Sequence, residues 1–298
     1  MAVSGPRTKN RVRLGVGLAV VVAVAGAWTA TATEGPGATG TPPRTGAGQQ
    51  RGHGQAADPR AAGPLWTADP GRGVKSFEGI ETKPGSVKVV NDPTGRYGKS
   101  YELHTSGKKE DADTRVRVET RGHRTADGSP LRFSKEGDVF YVHWRSMWGP
   151  LPVQRGKWVV LWQLKDYGPG AATPPLSLRA RGDGTVDLEY CDPKLKTTQL
   201  WHTDLKLNQW NDFVVGFRVS KNPAEGWVKL WHDGKAQELA GGGQQHPAAT
   251  LRGDWVLDKW GVYRADGITG PATAYLNGAA VGRSYGDVAS SSPGGAAK

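Results

Sequence analysis

Apolar and polar residues alternate along much of the chain after about residue 65, with the two-residue period of β-strands. In Phe140–Arg145, for example, Phe, Val and Trp occupy the even positions, and Tyr, His and Arg occupy the odd ones. Because successive side chains of a strand point to opposite faces, this segment would have one apolar and one polar face. The same pattern predicts strands at Trp158–Lys165, Leu176–Arg181, Thr185–Tyr190, Phe213–Val219 and Gly226–His232. No segment predicts a helix longer than two turns.

Two-residue turn signals separate several of these predicted strands. Asp183-Gly184 and Asp233-Gly234 are typical of the tight turns that join antiparallel neighbours. Many short strands with Gly and Asp turns predict an all-β fold. We therefore expect two antiparallel sheets packed as a sandwich or jelly roll in a single domain.

Four segments carry charged or hydrogen-bonding side chains on the face opposite their apolar one. They are Arg115–Thr120, Phe140–Arg145, Val160–Lys165 and Lys259–Arg264. If these strands share a sheet, its polar face brings together Arg115, Arg117, Glu119, Tyr141, His143, Arg145, Gln163, Lys165, Lys259 and Tyr263. One such strand is typical of a solvated surface, whereas four together favour a groove for a polar ligand.

The two ends of the chain lack this pattern. Residues 1–32 combine a basic start, an apolar run and a small-residue cleavage site, which predicts a secretory signal peptide, with an uncleaved anchor as the alternative. Residues 33–64 are rich in Gly and Pro and lack large apolar residues, which predicts a flexible linker. The folded domain is expected at 65–288 and a disordered tail at 289–298. The protein is therefore expected to be secreted, with no later membrane span.

The formal net charge is +11, of which about +6 belongs to the predicted domain. A basic secreted domain favours an anionic partner, although many secreted proteins are simply basic. Such partners include an acidic polysaccharide, a nucleic acid or a membrane surface, but no nucleic-acid-binding motif is visible and a nucleic-acid partner is not expected. The protein is expected to be a monomer. The single cysteine, Cys191, excludes a disulfide framework and is expected to act as a small apolar residue.

Three segments together resemble the signature motifs of jelly-roll polysaccharide lyases. These are Arg117-Val118-Glu119-Thr120, Gln163-Leu164-Lys165 and Lys259-Trp260-Gly261-Val262-Tyr263, in the family's order. Gln209–Val215 and Gly226–Trp231 resemble the heparin lyase I and glucuronan lyase branch. The resemblance covers about Leu65–Gly286 and implies a concanavalin-like jelly roll. In two places the chain departs from the motifs: Thr120 replaces Leu, and Lys165 replaces the His of the alginate-lyase motif.

The resemblance implies that a uronate chain is cleaved by β-elimination. Gln163 and Arg117, with Lys165, would neutralise the substrate carboxylate, and Tyr263 would act as acid or as both base and acid. An unperturbed tyrosine titrates near pH 10. Tyr263 therefore needs cationic neighbours, which Lys259 and an arginine from an adjacent strand would supply.

The replacement of His by Lys165 leaves the identity of the base open. His123 is favoured by its position in the chain, and His143 by strand geometry; Tyr263 is the third candidate. Glu119 is expected to orient Arg117 or Lys259. Arg115 and Arg145 are further candidates for substrate binding.

Two other functions are compatible with parts of this pattern. A glycoside hydrolase would need a pair of carboxylates, for which Asp187 and Glu189 are the nearest candidates. A non-catalytic carbohydrate-binding module would use the same sheet and exposed tryptophans. No cofactor is expected. A structural Ca²⁺ remains an open alternative, although Lys108–Asp113 lacks a complete set of oxygen ligands and is better explained as an exposed turn.

Overall fold

Two antiparallel sheets face each other across an apolar core. The protein is described here by a computed structural model, which covers residues 63–106 and 115–289, all within one unit. The strands are β1 (Trp66–Thr67), β2 (Gly79–Lys83), β3 (Ser86–Asn91), β4 (Lys99–Thr105), β5 (Arg117–Arg121), β6 (His123–Arg124), β7 (Pro130–Leu131), β8 (Val139–Trp148), β9 (Trp158–Tyr167), β10 (Leu176–Arg181), β11 (Thr185–Cys191), β12 (Thr197–Asp204), β13 (Asn211–Arg218), β14 (Trp227–His232), β15 (Lys235–Ala236), β16 (His246–Pro247), β17 (Trp255–Arg264) and β18 (Ala272–Gly282).

The larger sheet has nine strands and the smaller has seven. The larger runs β15-β14-β13-β8-β18-β4-β3, with β1 paired to β18 and β16 paired to β14. The smaller runs β12-β11-β10-β9-β17-β5-β2, and β6 and β7 form a separate two-stranded ribbon. The all-β sandwich predicted from the alternating pattern is confirmed.

Stacked aromatic rings join the two sheets. Trp144 of β8 stacks on Trp162 of β9 with ring centroids 5.0 Å apart, and both residues are buried. Trp260 of β17 packs against Trp144 from the same side. Removing large side chains of this kind from water stabilises the fold by roughly 1.5–3 kcal/mol each. The apolar faces of the motif strands thus form the core, and their polar faces point outward.

The predicted turns are present. Asp183-Gly184 joins β10 to β11, and Asp233-Gly234 joins β14 to β15. Asp233 and Gly234 have positive φ values of 50° and 75°, as a two-residue hairpin turn with matching twist requires. The helical elements among the described residues are short: a 3-10 segment Pro70–Ser76 broken at Gly73, and α1 (Tyr285–Ala289).

The predicted signal peptide and the candidate calcium segment lie outside the described residues, as does the predicted linker except for Gly63 and Pro64. The predicted tail does so too, except for Ala289, which ends α1. Within residues 63–106 and 115–289, no helix has the length and apolar composition needed to span a bilayer.

Candidate functional site: a polar groove on the smaller sheet

A groove with a volume of about 640 Å³ lies on the outer face of the smaller sheet. The strands β9, β17 and β5 are neighbours there, so three of the four predicted polar faces adjoin. Six of the ten predicted site residues line the groove: Arg115, Arg117, Gln163, Lys165, Lys259 and Tyr263. A seventh, Glu119, is buried beneath them.

Tyr263 is held between two guanidinium groups. Arg115 Nη1 donates a hydrogen bond to the Tyr263 hydroxyl at 2.9 Å. Arg117, the cross-strand neighbour of Tyr263, places its guanidinium carbon 3.9 Å from the centre of the phenol ring. The edge of Trp158 closes the third side, with ring centroids 5.0 Å apart. Negative charge on this phenol oxygen would therefore be compensated by two cations.

A β-bulge at Gly261 sets the position of Tyr263. Trp260 pairs with Trp162 of β9, but Tyr263 pairs with Val160, so β17 holds an extra residue between the two pairs. Gly261 has a φ of 147°, and a Cβ atom there would lie 2.0 Å from the Val118 carbonyl oxygen. Only glycine fits this close approach, which explains the glycine between Lys259 and Tyr263 in the sequence.

Glu119 organises the floor of the groove. Its carboxylate lies 2.7 Å from Lys259 Nζ and 3.4 Å from Arg117 Nε, and it accepts a 2.5 Å hydrogen bond from Gln163 Nε2. Lys259, Glu119 and Gln163 are all at most 3% exposed. Glu119 thus contacts Arg117, Lys259 and Gln163, and its role in orienting Arg117 or Lys259 stays a prediction.

Glu81, on the edge strand β2, completes the cluster. One of its oxygens, Oε2, lies 2.5 Å from Arg117 Nη1 and 3.0 Å from Lys259 Nζ. Burial opposes its charge, but Lys259 and Arg117 outweigh burial and hold the pKa of Glu81 below its ordinary value. Burial likewise opposes the charge of Arg117, and the carboxylates of Glu119 and Glu81 outweigh it and raise the pKa of Arg117.

Lys165 lines the groove, but its ammonium group donates its hydrogen bonds to the neighbouring loop. Its ammonium group donates to the side chain and carbonyl oxygen of Asp166 and to the carbonyl oxygen of Ala172, each at 2.8 Å. Three acceptors use the three N–H groups of a lysine. Lys165 therefore fastens the segment that follows β9 along one side of the groove.

His123 does not reach the groove. Its ring is fully buried in the core, 4.7 Å from Trp66 and 5.7 Å from Trp260. Nδ1 lies 3.0 Å from the Leu131 carbonyl oxygen, and Nε2 lies 3.0 Å from Asp258 Oδ2. The prediction of His123 as a base is not supported by this position, because the core separates the ring from the groove and both nitrogens already have partners.

His143 and Arg145 lie on the other sheet. Their strand, β8, pairs with β13 and β18 of the larger sheet, so their polar face points away from the groove. His143 is buried and bonds the Gly278 carbonyl oxygen and Asp212, while Arg145 also contacts Asp212. The interpretation that all four polar strands share one sheet is therefore wrong, and these two residues leave the candidate site.

A family model described as polysaccharide lyase matches residues 69–280. The chain belongs to the polysaccharide lyase family.

Solved structures of lyases are similar to this polysaccharide lyase family member in fold. The endo-β-1,4-glucuronan lyase of the fungus Trichoderma reesei is 14% identical and aligns over 76% of this chain and 98% of its own, with a TM-score of 0.58. A family 7 alginate lyase of the marine Zobellia galactanivorans is 12% identical over 70% of this chain and 96% of its own, with a TM-score of 0.48. The comparison with curated protein sequences found no match. The jelly-roll architecture implied by the motifs is thus confirmed.

The carboxylates considered for hydrolysis are neutralised in this lyase family member. Asp187 lies 3.0 Å from Arg181, and Glu189 pairs with both Arg181 and Arg179, the latter at 3.0 Å. Both carboxylates are buried. A glycoside hydrolase needs one protonated and one free carboxyl group beside the sugar, which this pair does not supply.

The lyase groove also contains residues that sequence reasoning missed. They are Glu81, Trp158, Tyr167 and Arg179. Arg179 lies on the polar face of a predicted strand, so its alternation could have revealed it. Burial, and then the nearby charge of Arg181, lower the pKa of Arg179 to about 10. Glu81 gave no such signal, because all five residues of β2 are at least partly exposed and show no apolar alternation.

Proposed function

We propose that this protein is a secreted polysaccharide lyase that cleaves a uronate-containing acidic polysaccharide by β-elimination, with Tyr263 moving the proton. The observation that carries the proposal is the position of the Tyr263 hydroxyl, which is bonded by Arg115 and lies in the same groove as Gln163. Secretion rests on the signal-like pattern of residues 1–32.

In the proposed reaction, the deprotonated Tyr263 oxygen removes the proton from C5 of the uronate. The C5–H electrons form the C4=C5 double bond, the C4–O4 bond breaks, and the departing O4 takes the proton back from Tyr263. Arg115 and Arg117 compensate the negative charge on Tyr263 before the proton is taken up. No water and no electron acceptor enters this sequence.

The carboxylate next to C5 must be stabilised as charge builds on it in the transition state. Gln163 is the proposed donor, because Glu119 holds its amide nitrogen and fixes the side chain in a buried position. Preorganised donors of this kind contribute about 2.7–4 kcal/mol each to transition-state stabilisation in enzymes where one was removed. Arg117, on β5, lies over the Tyr263 ring and is already paired with Glu81 and Glu119.

The use of one tyrosine for both proton steps follows from its neighbours. His123 and His143 do not face the groove, and Lys165 donates all of its N–H groups to carboxylate and carbonyl oxygens. Of the three residues considered as the base, Tyr263 is the one that lies in the groove, where its hydroxyl can both accept and donate a proton. A single oxygen can do so only if the C5 hydrogen and O4 lie on the same side of the sugar ring.

The test is an ultraviolet assay of the purified protein on glucuronan, alginate and heparin. The unsaturated uronate that β-elimination leaves absorbs near 232 nm, so absorbance should rise on at least one of these polymers and stay flat with Tyr263→Phe. Tyr141→Phe is the matched control, because Tyr141 lies on the outer face of the larger sheet beside Trp231. Reducing ends without absorbance would instead indicate hydrolysis and overturn the proposal.

A non-catalytic carbohydrate-binding protein is the second candidate. The observation in its favour is that Lys165 stands at the histidine position of the alginate-lyase motif, and that the groove lining within the described residues contains no histidine. Binding to the same polymers without any absorbance change would favour this candidate. Cleavage that depends on Tyr263 would exclude it.

A further inference from the structure

The centre of the groove is electrically neutral although it contains two cations, the buried Lys259 and the partly exposed Arg117. Arg117 and Lys259 face the two carboxylates Glu81 and Glu119, and every pair in this cluster is within 3.4 Å. We propose that Glu81 is a specificity-determining residue that restricts the groove to uronate chains without sulfate groups. The inference rests on the proposed function and names its substrate class more narrowly.

Glu81 differs from Glu119 in being open to the groove. Its side chain is 24% exposed, against 1% for Glu119. Among the described residues that line the groove, Glu81 is the one carboxylate. An anion that approaches Arg117 or Lys259 from the groove therefore meets Glu81 as well, because a single oxygen of Glu81 contacts both cations.

All but one of the other cations that line the groove are also paired with carboxylates. Lys165 pairs with Asp166, and Arg179 pairs with Glu189. Within the described residues, Arg115 has no carboxylate within ion-pair distance and bonds the Tyr263 hydroxyl instead. The Gln163 amide and the Arg115 guanidinium can together bind one carboxylate per sugar. A sulfate group would need a further cation that is not already paired with a carboxylate of the protein.

A second anion beside Glu81 would be repelled. Lys259 and Arg117 lower the pKa of Glu81, so its carboxylate is ionised at neutral pH and cannot relieve the repulsion by taking up a proton easily. Like charges brought together in a partly desolvated site are disfavoured far more than in water, and this is a common route to specificity. Glu81 thus discriminates by repulsion, while Gln163 and Arg115 provide the attraction.

The experiment compares one polymer in two forms: polyglucuronate, and the same polyglucuronate carrying a single sulfate group per sugar. Cleavage is followed near 232 nm, and binding of both polymers is measured separately by affinity electrophoresis. The wild-type protein should prefer the unsulfated chain by about tenfold or more in kcat/KM and in affinity. Glu81→Gln should lower that preference at least several-fold, mainly through a lower KM for the sulfated chain.

Two further variants serve as controls. Glu81→Asp keeps the charge and should keep the wild-type preference. Glu225→Gln removes the same charge from an exposed turn of the larger sheet and should change neither polymer's kinetics. Circular dichroism verifies that each variant is folded.

The outcomes separate the inference from the proposed function. An absence of cleavage on every uronate polymer would overturn the proposed function, and the binding ratios would still test Glu81. Equal use or equal binding of the two polymers by the wild type would overturn the inference alone. So would a preference that Glu81→Gln leaves unchanged in a folded protein.

Discussion

Replacing His123 by phenylalanine separates a structural histidine from a catalytic one. The buried ring packs against Trp66 and Phe133 with centroids 4.7 and 5.3 Å away, and phenylalanine can retain these contacts. What the substitution removes is the pair of bonds to the Leu131 carbonyl oxygen and to Asp258. We expect a large loss of stability and no specific loss of catalysis.

The magnitude follows from what happens to Asp258. Its side chain is fully buried and holds one further hydrogen bond, from Trp162 Nε1 at 2.8 Å. Without the His123 ring, this buried side chain loses one of its two partners, and leaving a buried polar group unsatisfied typically costs about 1–3 kcal/mol. In a domain of this size, each kcal/mol lowers the melting temperature by about 2–4 °C, so we expect a decrease of roughly 2–12 °C.

The assay combines urea unfolding with lyase activity normalised to the folded fraction at a temperature well below the transition. His123→Phe should unfold at a lower urea concentration while keeping kcat within about threefold of the wild type. The double variant His123→Phe with Asp258→Asn should recover part of the lost stability, because it replaces the carboxyl group that has lost its partner with a less strongly solvated amide. A variant with unchanged stability and a hundredfold lower kcat would refute the structural interpretation and return His123 to the list of bases.

Other predictions concern the groove itself. Gln163→Ala should lower kcat/KM about 10²–10³-fold because it removes a preorganised donor; Gln209→Ala, exposed on a loop, is the control, and equal activities would contradict the role of Gln163. Lys165→Met should leave the loop through Ala172 more open to proteolysis, and an unchanged cleavage pattern in limited proteolysis would argue against the anchor. Because the pKa of Glu81 lies below its ordinary 4.5, its ionised carboxylate stabilises the fold above about pH 4.5, and this contribution is lost as pH falls through the lowered pKa. Glu81→Gln should therefore lose less stability than the wild type between about pH 6 and pH 3, and parallel urea-unfolding curves would exclude the effect. Since Tyr263 acts on one side of the sugar, polymers that are epimers at C5, such as polymannuronate and polyguluronate, should be cleaved at unequal rates; equal rates would point to a separate acid and base.

The sequence contained enough information to predict which side chains of a strand share a face. In β5, β9 and β17, tryptophan and β-branched residues alternate with charged ones, and burial of the apolar set leaves one possible orientation. The glycine at position 261 also had a local cause, since the bulge there admits no Cβ atom. These features made Gln163, Lys259 and Tyr263 recognisable as neighbours on one polar surface.

The sheet to which a strand belongs is not encoded in its own alternation. The polar face of β8 resembles those of the groove strands, yet β8 pairs with β13 and β18, and its polar face lies on the opposite side of the molecule. Pairing depends on distant segments: β18 consists largely of small residues, and β2 is an exposed edge strand without a clear pattern. The alternation therefore correctly predicted that His143 lies on the polar face of its strand, but it did not show that this strand belongs to the larger sheet. For Glu81, the sequence contained no alternation that could have indicated a site residue. Glu81, the residue proposed to set the specificity of the groove, lies on β2, the strand whose local pattern is least informative. An edge strand such as β2 can pair with β5 without an apolar face of its own.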